Sequence, residues 1–216
     1  EGKASTIGGK TRKQKITDII SQTMLSCGLS ETYTYSFTSP KVFDMINLPA
    51  DSPLRKAIVI SNPLGEDYSI MRTTTIPDMM KILAVNYNRR VEEARLFEMS
   101  NVYIPRDLPL TELPDERLVL TIGMYGEGID FYDLSGVIEE LMDVLGIKEY
   151  ELEPVKDDPM FHPGRTARLM IKGESAGILG EIHPAVAENF EAAQRNYAAF
   201  IEVEPLIEYA STEHEY

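Results

Sequence analysis

Cysteine occurs once, at Cys27, and histidine three times, at His162, His183 and His214. One cysteine excludes an internal disulfide and any zinc or iron–sulfur site built from several thiolates. Three histidines far apart in sequence argue against a histidine-rich metal site. No apolar run approaches the roughly 18 residues of a spanning helix. The opening EGKASTIGGKTRKQK lacks the apolar stretch of a secretory signal. These absences lead us to expect a cytoplasmic protein with no membrane partner. The absent initiator methionine leads us to expect an excised piece of a longer chain.

Basic residues are scarce as well. There are 21 Lys and Arg against 35 Asp and Glu, a net charge of −14. Phosphate binding is carried by Lys and Arg, so this balance opposes broad, non-specific adhesion to nucleic acid. The charge is uneven: Lys3, Lys10, Arg12, Lys13 and Lys15 crowd the start, and Glu202, Glu204, Glu208, Glu213 and Glu215 the end. Two solvated ends are the simplest account, and a basic segment touching RNA or a partner the sharper one.

What is present is ordinary for a soluble globular domain: 216 residues, 43% hydrophobic and 26% charged. A single domain of this size buries roughly 70–75% of its unfolded surface without a disulfide or metal. Residues 1–12 read as a linker, 13–208 as the core and 209–216 as an acidic tail. Ile16, Ile19, Ile20, Met24, Leu25 and Cys27 recur at helical spacing, with Gly28 as the stop. Cys27 is expected to be a small buried hydrophobe rather than a reactive thiol. Glu31–Phe37 alternates and is rich in β-formers, which predicts a strand. A short helix is expected over Val42–Ile46 after Ser39-Pro40, and a short strand over Ala57–Ile60.

A helix is predicted from Thr75 to Arg90, and another over Phe131–Leu145. Strands are predicted over 94–103 and 117–125, joined by a proline-rich loop of about a dozen residues. A further strand is expected at 150–152, a loop at Pro159–Gly164 and a hairpin with arms 166–171 and 176–182. Ala185–Phe190 reads as a short helix and 197–203 as the last strand. Helices among mostly hairpin-connected strands indicate an α+β fold with an antiparallel sheet flanked by helices.

Composition and spacing point to no catalytic constellation. Gly8-Gly9-Lys10-Thr11 has the end of a phosphate-binding loop but not its first glycine, where Ala4 stands, nor a preceding strand. Glu181 and His183 would share a strand face about 7 Å apart; a structural or exposed pair is favoured over acid–base work. Glu92 and Glu93 fall in a turn. Arg95 and Glu98 point to opposite faces of their strand.

Longer strings are specific. Ser61–Leu83 (SNPLGEDYSIMRTTTIPDMMKIL), Arg95–Pro105 (RLFEMSNVYIP), Phe161–Leu169 (FHPGRTARL), Gly177–Glu191 (GILGEIHPAVAENFE) and Tyr197–Leu206 (YAAFIEVEPL) stand in one order. With the opening GLSETYTYSFTSP, they make the chain resemble the core domain of the phenylalanyl-tRNA synthetase beta subunit over about residues 13–206. Its family-signature residues, read as structural, are Asn62, Pro63, Arg72, Arg95, Glu98, His162, Pro163, Gly164, Arg165, Gly180, Glu181, His183 and Pro184.

The resemblance implies a class II aminoacyl-tRNA synthetase catalytic-domain-like fold and a degenerate, non-catalytic role beside an alpha subunit that carries the active site. It further implies a heterotetramer of two alpha and two beta subunits, with tRNA(Phe) as the substrate of the whole complex. ATP and magnesium serve the whole enzyme, and this domain is expected to bind no cofactor or metal. Two departures support degeneracy. Where catalytic relatives carry a phosphate-binding arginine after a strand like 95–103, Ile104-Pro105 stand. Where they carry Gly-x-Gly and a helix-opening arginine, Ile201-Glu202-Val203-Glu204-Pro205-Leu206 stand. Arg72 survives at a class II-like position and is expected to order the loop before its helix. Residues 13–27 with 31–37 occupy the place of the class's subunit-contact helix and strand, so Ile16, Ile20 and Met24 are expected to be partly exposed for an interface. Two rivals remain: an active adenylate-forming enzyme, separable by ATP–pyrophosphate exchange, and a regulatory module that binds a small molecule, separable by a ligand-induced thermal shift.

Overall fold

The computed structural model describes residues 9–211. Lys3, Gly8, Glu213, His214 and Glu215, used above, lie outside that range. In chain order the elements are α1 (Arg12–Ser26), β1 (Ser30–Glu31), β2 (Phe37–Thr38), α2 (Val42–Met45), β3 (Ile70–Met71), α3 (Ile76–Asn88), β4 (Ala94–Ile104), β5 (Asp115–Tyr125), α4 (Phe131–Val144), β6 (Tyr150–Pro154), β7 (Phe161–Ile171), β8 (Glu174–Ile182), α5 (Pro184–Asn189), β9 (Tyr197–Glu202) and α6 (Val203–Tyr209).

Seven strands form one sheet in the order β1-β4-β5-β9-β8-β7-β6. Every neighbouring pair is antiparallel except β1 with β4. The central strands β5, β8 and β9 are buried at consecutive residues, so both faces of the sheet are covered. One face carries Phe97, Leu120, Ile122, Leu169, Leu179 and Ile201 under α1, α4 and α6. The other carries Leu96, Ile178, Ile182 and Ala198 under α2, α3 and α5. The β7–β8 hairpin closes through Lys172 (φ 48°) and Gly173 (φ 80°), the two left-handed positions that a tight hairpin turn demands.

Five expectations about the elements are corrected. First, the strand 31–37 breaks into β1 and β2. The Thr34 N–H bonds to the Glu98 carboxylate rather than to a neighbouring strand's carbonyl. Second, Phe161–Gly164 is not a loop but the start of β7, with a register shift against β8 between Phe161 and Thr166. Third, the last strand stops at Glu202, and a helix that the sequence reading does not include, α6, follows β9 directly. Pro205 sits in its first turn, where a missing N–H costs nothing. Ser211 N donates to Leu145 O at 2.8 Å, so the tail reading fails for residues 209–211. Fourth, residues 11 and 12 are not linker. Thr11 caps α1 in a capping box, and Arg12 donates to Ile207 O and Ala210 O at 2.8 and 2.7 Å. Those carbonyls close the C-terminal end of α6 and would otherwise lack partners. Fifth, Ala57–Ile60 forms only an isolated bridge, Val59 to Ile70.

The packing of α1 decides its role. Ile16, Ile20 and Met24 are 1%, 0% and 0% exposed, packed among α4 and the sheet. The expectation that they lie partly exposed for a subunit contact is overturned, because the chain's own core takes that face. Ile20→Ala should therefore cost about 2–5 kcal/mol of stability in urea unfolding, and Ile20→Asp should abolish the fold. An Ile20→Asp chain of wild-type stability would return this face to the surface.

Candidate functional site

The positions where class II chemistry would need cations hold none. Ile104 ends β4 opposite Asp115. The next guanidinium along the chain, Arg106, pairs with Glu112 at 3.3 Å within the 105–114 connection. Ile201, Val203 and Leu206 are all fully buried in the layer under α1 and α4. The nearby surface cavity of 360 Å³ is lined by Asp115, Glu116, Glu202, Glu204 and Glu208 against Lys13 and Arg117. Arg117 is engaged by Asp115 and Glu202 at 2.8 and 3.3 Å. A triphosphate would meet a surplus of carboxylates there, with side chains where a backbone approach is needed. Among the described residues, no group of three or more His, Cys, Asp or Glu could hold a metal ion.

Arg72 is 2% exposed and is held on every side. Its Nε donates to Asn101 O at 2.9 Å and its Nη1 to Thr34 Oγ1 at 2.6 Å. Asp78 Oδ2, in the first turn of α3, lies 3.3 Å from Nη1. Thr34 Oγ1 in turn donates to the Glu98 carboxylate, 2.7 Å from Oε2. The backbone joins in: Arg72 N donates to Ser36 O and Tyr103 N to Arg72 O, at 2.9 and 3.0 Å. Burying a cation is tolerable only with such pairing and hydrogen bonding. Arg72 thus locks residues 32–36, α3 and β4 together and has no surface to offer a substrate.

Glu181 and His183 do not act as a pair. His183 follows the end of β8, and its Nδ1 accepts from Ala185 N at 3.0 Å as the cap of α5, which begins at Pro184. Glu181 is buried and takes Arg165 Nη1 at 2.9 Å, Tyr197 OH at 3.5 Å and Arg195 Nε at 3.8 Å. His162 Nδ1 accepts from Gly164 N at 3.0 Å, stabilising the irregular start of β7 around Pro163. Gly180 faces it: a Cβ there would lie 2.7 Å from Arg165 O and 2.9 Å from Thr166 Cα. Only glycine allows that approach. Arg95 bonds Glu93 at 2.9 Å and faces the layer opposite Glu98, as strand alternation requires. Asn62 and Pro63 sit in a bend whose residues 61–68 are all exposed. Cys27 is half-buried, and burial, with Glu140 nearby, pushes its thiol up, away from reactivity.

Sequence reasoning missed Thr34, Asp78, Arg195 and Tyr197 as members of these clusters, and also the exposed aromatic edge. Tyr33 and Tyr35 are 81% and 78% exposed. They lead into Phe37, and β2 pairs with β3, which bridges to Val59. Val59 and Leu64 are 72% and 97% exposed, and Phe37 and Tyr68 are also open to solvent. Backbone pairing thus joins the exposed Phe37 and Val59 segments, and Leu64 and Tyr68 stand in the exposed connection between Val59 and β3. Only the Tyr-x-Tyr alternation hinted at it.

Burial pushes the Asp78 carboxyl up to about 6, against the pull of Arg72 and with Glu98 adding to the rise. A carboxyl raised in the folded state holds its proton more tightly there than when unfolded. Its contribution to stability is therefore present near pH 4 and lost as pH rises through about 6. Asp78→Asn removes this dependence. The variant's stability relative to wild type should be about 2 kcal/mol higher near pH 7.5 than near pH 4.5 in urea titrations. The opposite slope would mean that the guanidinium outweighs burial.

A family model for the phenylalanyl tRNA synthetase beta chain CLM domain matches residues 2–203. The chain is 47% identical over 208 residues to the phenylalanine–tRNA ligase beta subunit of Clostridium acetobutylicum, covering 96% of this chain and 26% of that protein. It is 45% identical to the beta subunit of Clostridium tetani, with the same coverage. It therefore spans about a quarter of these relatives' length. Among solved structures, pyrrolysyl-tRNA synthetase from Desulfitobacterium hafniense superposes with a TM-score of 0.72 over 90% of this chain and 68% of that one, at 14% identity, a likeness of fold alone. With six of its strings in family order and its α+β sheet shared with a class II synthetase, the chain belongs to the phenylalanyl-tRNA synthetase beta chain family, within its CLM domain.

Proposed function

We propose that the chain is the non-catalytic structural core of a phenylalanine–tRNA ligase beta subunit, packed against a catalytic alpha subunit to support charging of tRNA(Phe). The single observation that carries the reading is the burial of Ile201, Val203 and Leu206 at 0% exposure, where an adenylate-forming site needs open backbone and a cation. The ATP and magnesium of the whole enzyme then act in the alpha subunit, in a complex of two alpha and two beta chains. Nothing in this domain's chemistry supplies a phosphate clamp at those positions. In this reading the domain includes at least Thr11 to Ser211, since both are bonded into the body.

The contact with alpha is assigned to the edge beyond β1, where Tyr33, Tyr35, Phe37, Val59, Leu64 and Tyr68 are exposed. Large contiguous apolar patches mark protein interfaces, and tyrosine is enriched at their centres. The Arg72 lock holds this edge in one conformation, so little ordering is needed on association.

Two outcomes follow. The purified chain, given Phe, ATP and magnesium, should form no adenylate in a pyrophosphate-exchange assay, and Ile104→Arg should not restore it. Exchange by chain free of contaminating synthetase would overturn the scaffold reading. The double variant Tyr33→Ser, Tyr35→Ser should weaken assembly with alpha by about tenfold or more, while its unfolding free energy changes by less than about 1 kcal/mol. Unchanged assembly would move the interface elsewhere.

A further inference from the structure

A cleft of 580 Å³ opens between the first turn of α4 and the start of β7, far along the chain from the residues used above for subunit contact. Arg165, Arg195, Phe131 and Tyr132 line it. Strand alternation and register explain one wall. Tyr197 stands opposite Glu181 across β8 and β9, and Arg165 precedes Thr166, which stands opposite Gly180. The Glu181 side chain is only 4% exposed and draws both guanidinium groups, at 2.9 and 3.8 Å. One guanidinium suffices to neutralise one carboxylate, so the second has no ion-pair partner of its own. Among the described residues, neither arginine makes another ion pair. Their side chains are 46% and 65% exposed.

The opposite wall is aromatic. Tyr132 is 78% exposed and is held edge-on to Phe131, with ring centroids 6.0 Å apart. Asp130 also lines the cleft, but its carboxylate accepts from Tyr132 N and Asp133 N at 2.9 and 3.2 Å, so the positive end of α4 offsets it. A guanidinium fork matches phosphate oxygens. An exposed ring a short way off offers a face for a planar base. The cleft is larger than a phosphate needs and lies within the range of small-molecule sites, roughly 300–1,000 Å³.

We propose that this cleft binds a nucleotide, with Arg165 and Arg195 on the phosphate and Tyr132 against the base. Arg195 also lines a second cleft of 870 Å³ that includes Arg90, Asn88 and Gln194 together with the carboxylates of Glu92 and Glu127. The nucleotide is therefore either free or one unpaired unit of a longer single strand that continues past Arg195.

The test is calorimetric titration of the purified chain at low salt with AMP, with a four-nucleotide single-stranded RNA and with inorganic phosphate. AMP or the oligonucleotide should bind with a Kd below about 1 mM. Arg195→Ala and Tyr132→Ala should each weaken binding by about tenfold or more. Both side chains are exposed, so melting temperatures should not move, and Lys41→Ala, outside the cleft, should leave binding unchanged. Tighter binding of the oligonucleotide that is reduced by Arg90→Ala supports the strand. Equal affinities indifferent to Arg90→Ala support the free nucleotide. No binding by a folded chain, binding indifferent to both cleft variants, or inorganic phosphate binding as tightly as AMP would each overturn the proposal.

Discussion

Strand β9 lies in the middle of the sheet, between β5 and β8, and must be covered on both faces. Ala198 faces one layer and Ala199 with Ile201 the other, all fully buried. Because α6 continues directly from β9, its Val203 and Leu206 fall into the same layer as Ile201. Arg12 then binds the carbonyls at the end of α6 and draws α1 down beside it. The apolar face of α1 closes the layer with α4. A side chain committed to that layer cannot also serve a partner or a ligand. One packing requirement thus fills the layer beside β9 with side chains and commits the Ile16, Ile20 and Met24 face of α1 to the chain's own core.

At the margins of the sheet, buried charge sets the shape of the surface. At the β1 edge, Arg72 holds residues 32–36 through Thr34, Ser36 and Asn101. The side-chain bonds replace a ladder that two-residue β1 is too short to provide. A segment held this way can present tyrosines outward without adding another strand. At the opposite side, Glu181 does comparable work for β7, β8 and the approach to β9. In both places a buried charged group organises backbone around it, and the neighbouring surface shows aromatic rings. Removing either buried partner would leave a charge unpaired in a low-dielectric interior, where the penalty is largest.

The elements legible from sequence were those determined by local pattern. Helices α1, α3 and α4 carry apolar residues at helical spacing, and β4, β5, β8 and β9 are long apolar or alternating runs. The misread elements depend on groups far away in the chain. The 31–37 segment is diverted by Glu98, some 64 residues on. The proline and glycine of Phe161–Gly164 suggested a loop, yet Gly180 opposite makes room for an irregular strand. The α6 helix was hidden by β-branched Val203 and by Pro205, which its first turn tolerates. The candidate residues divide in the same way. Arg72, Glu98 and Glu181 stood out through the family strings, but their partners Thr34, Asp78, Arg195 and Tyr197 lie on other elements and follow no spacing rule.

How the arginines are paired determines what the acidic balance means. Most arginines whose partners are described are matched locally: Arg55 with Asp44, Arg95 with Glu93, Arg106 with Glu112, Arg117 with Asp115 and Glu202. Exposed pairs of this kind contribute little stability, about 0–1 kcal/mol each. They do cancel much of the positive field that would draw polyanions to the surface at long range. Arg165 and Arg195 break the pattern because two cations share one buried carboxylate. A low overall basic content therefore excludes a broad phosphate-binding face without excluding a single short-range one. Such a site would act only on a ligand already in the cleft, where one unmatched guanidinium and a nearby ring suffice.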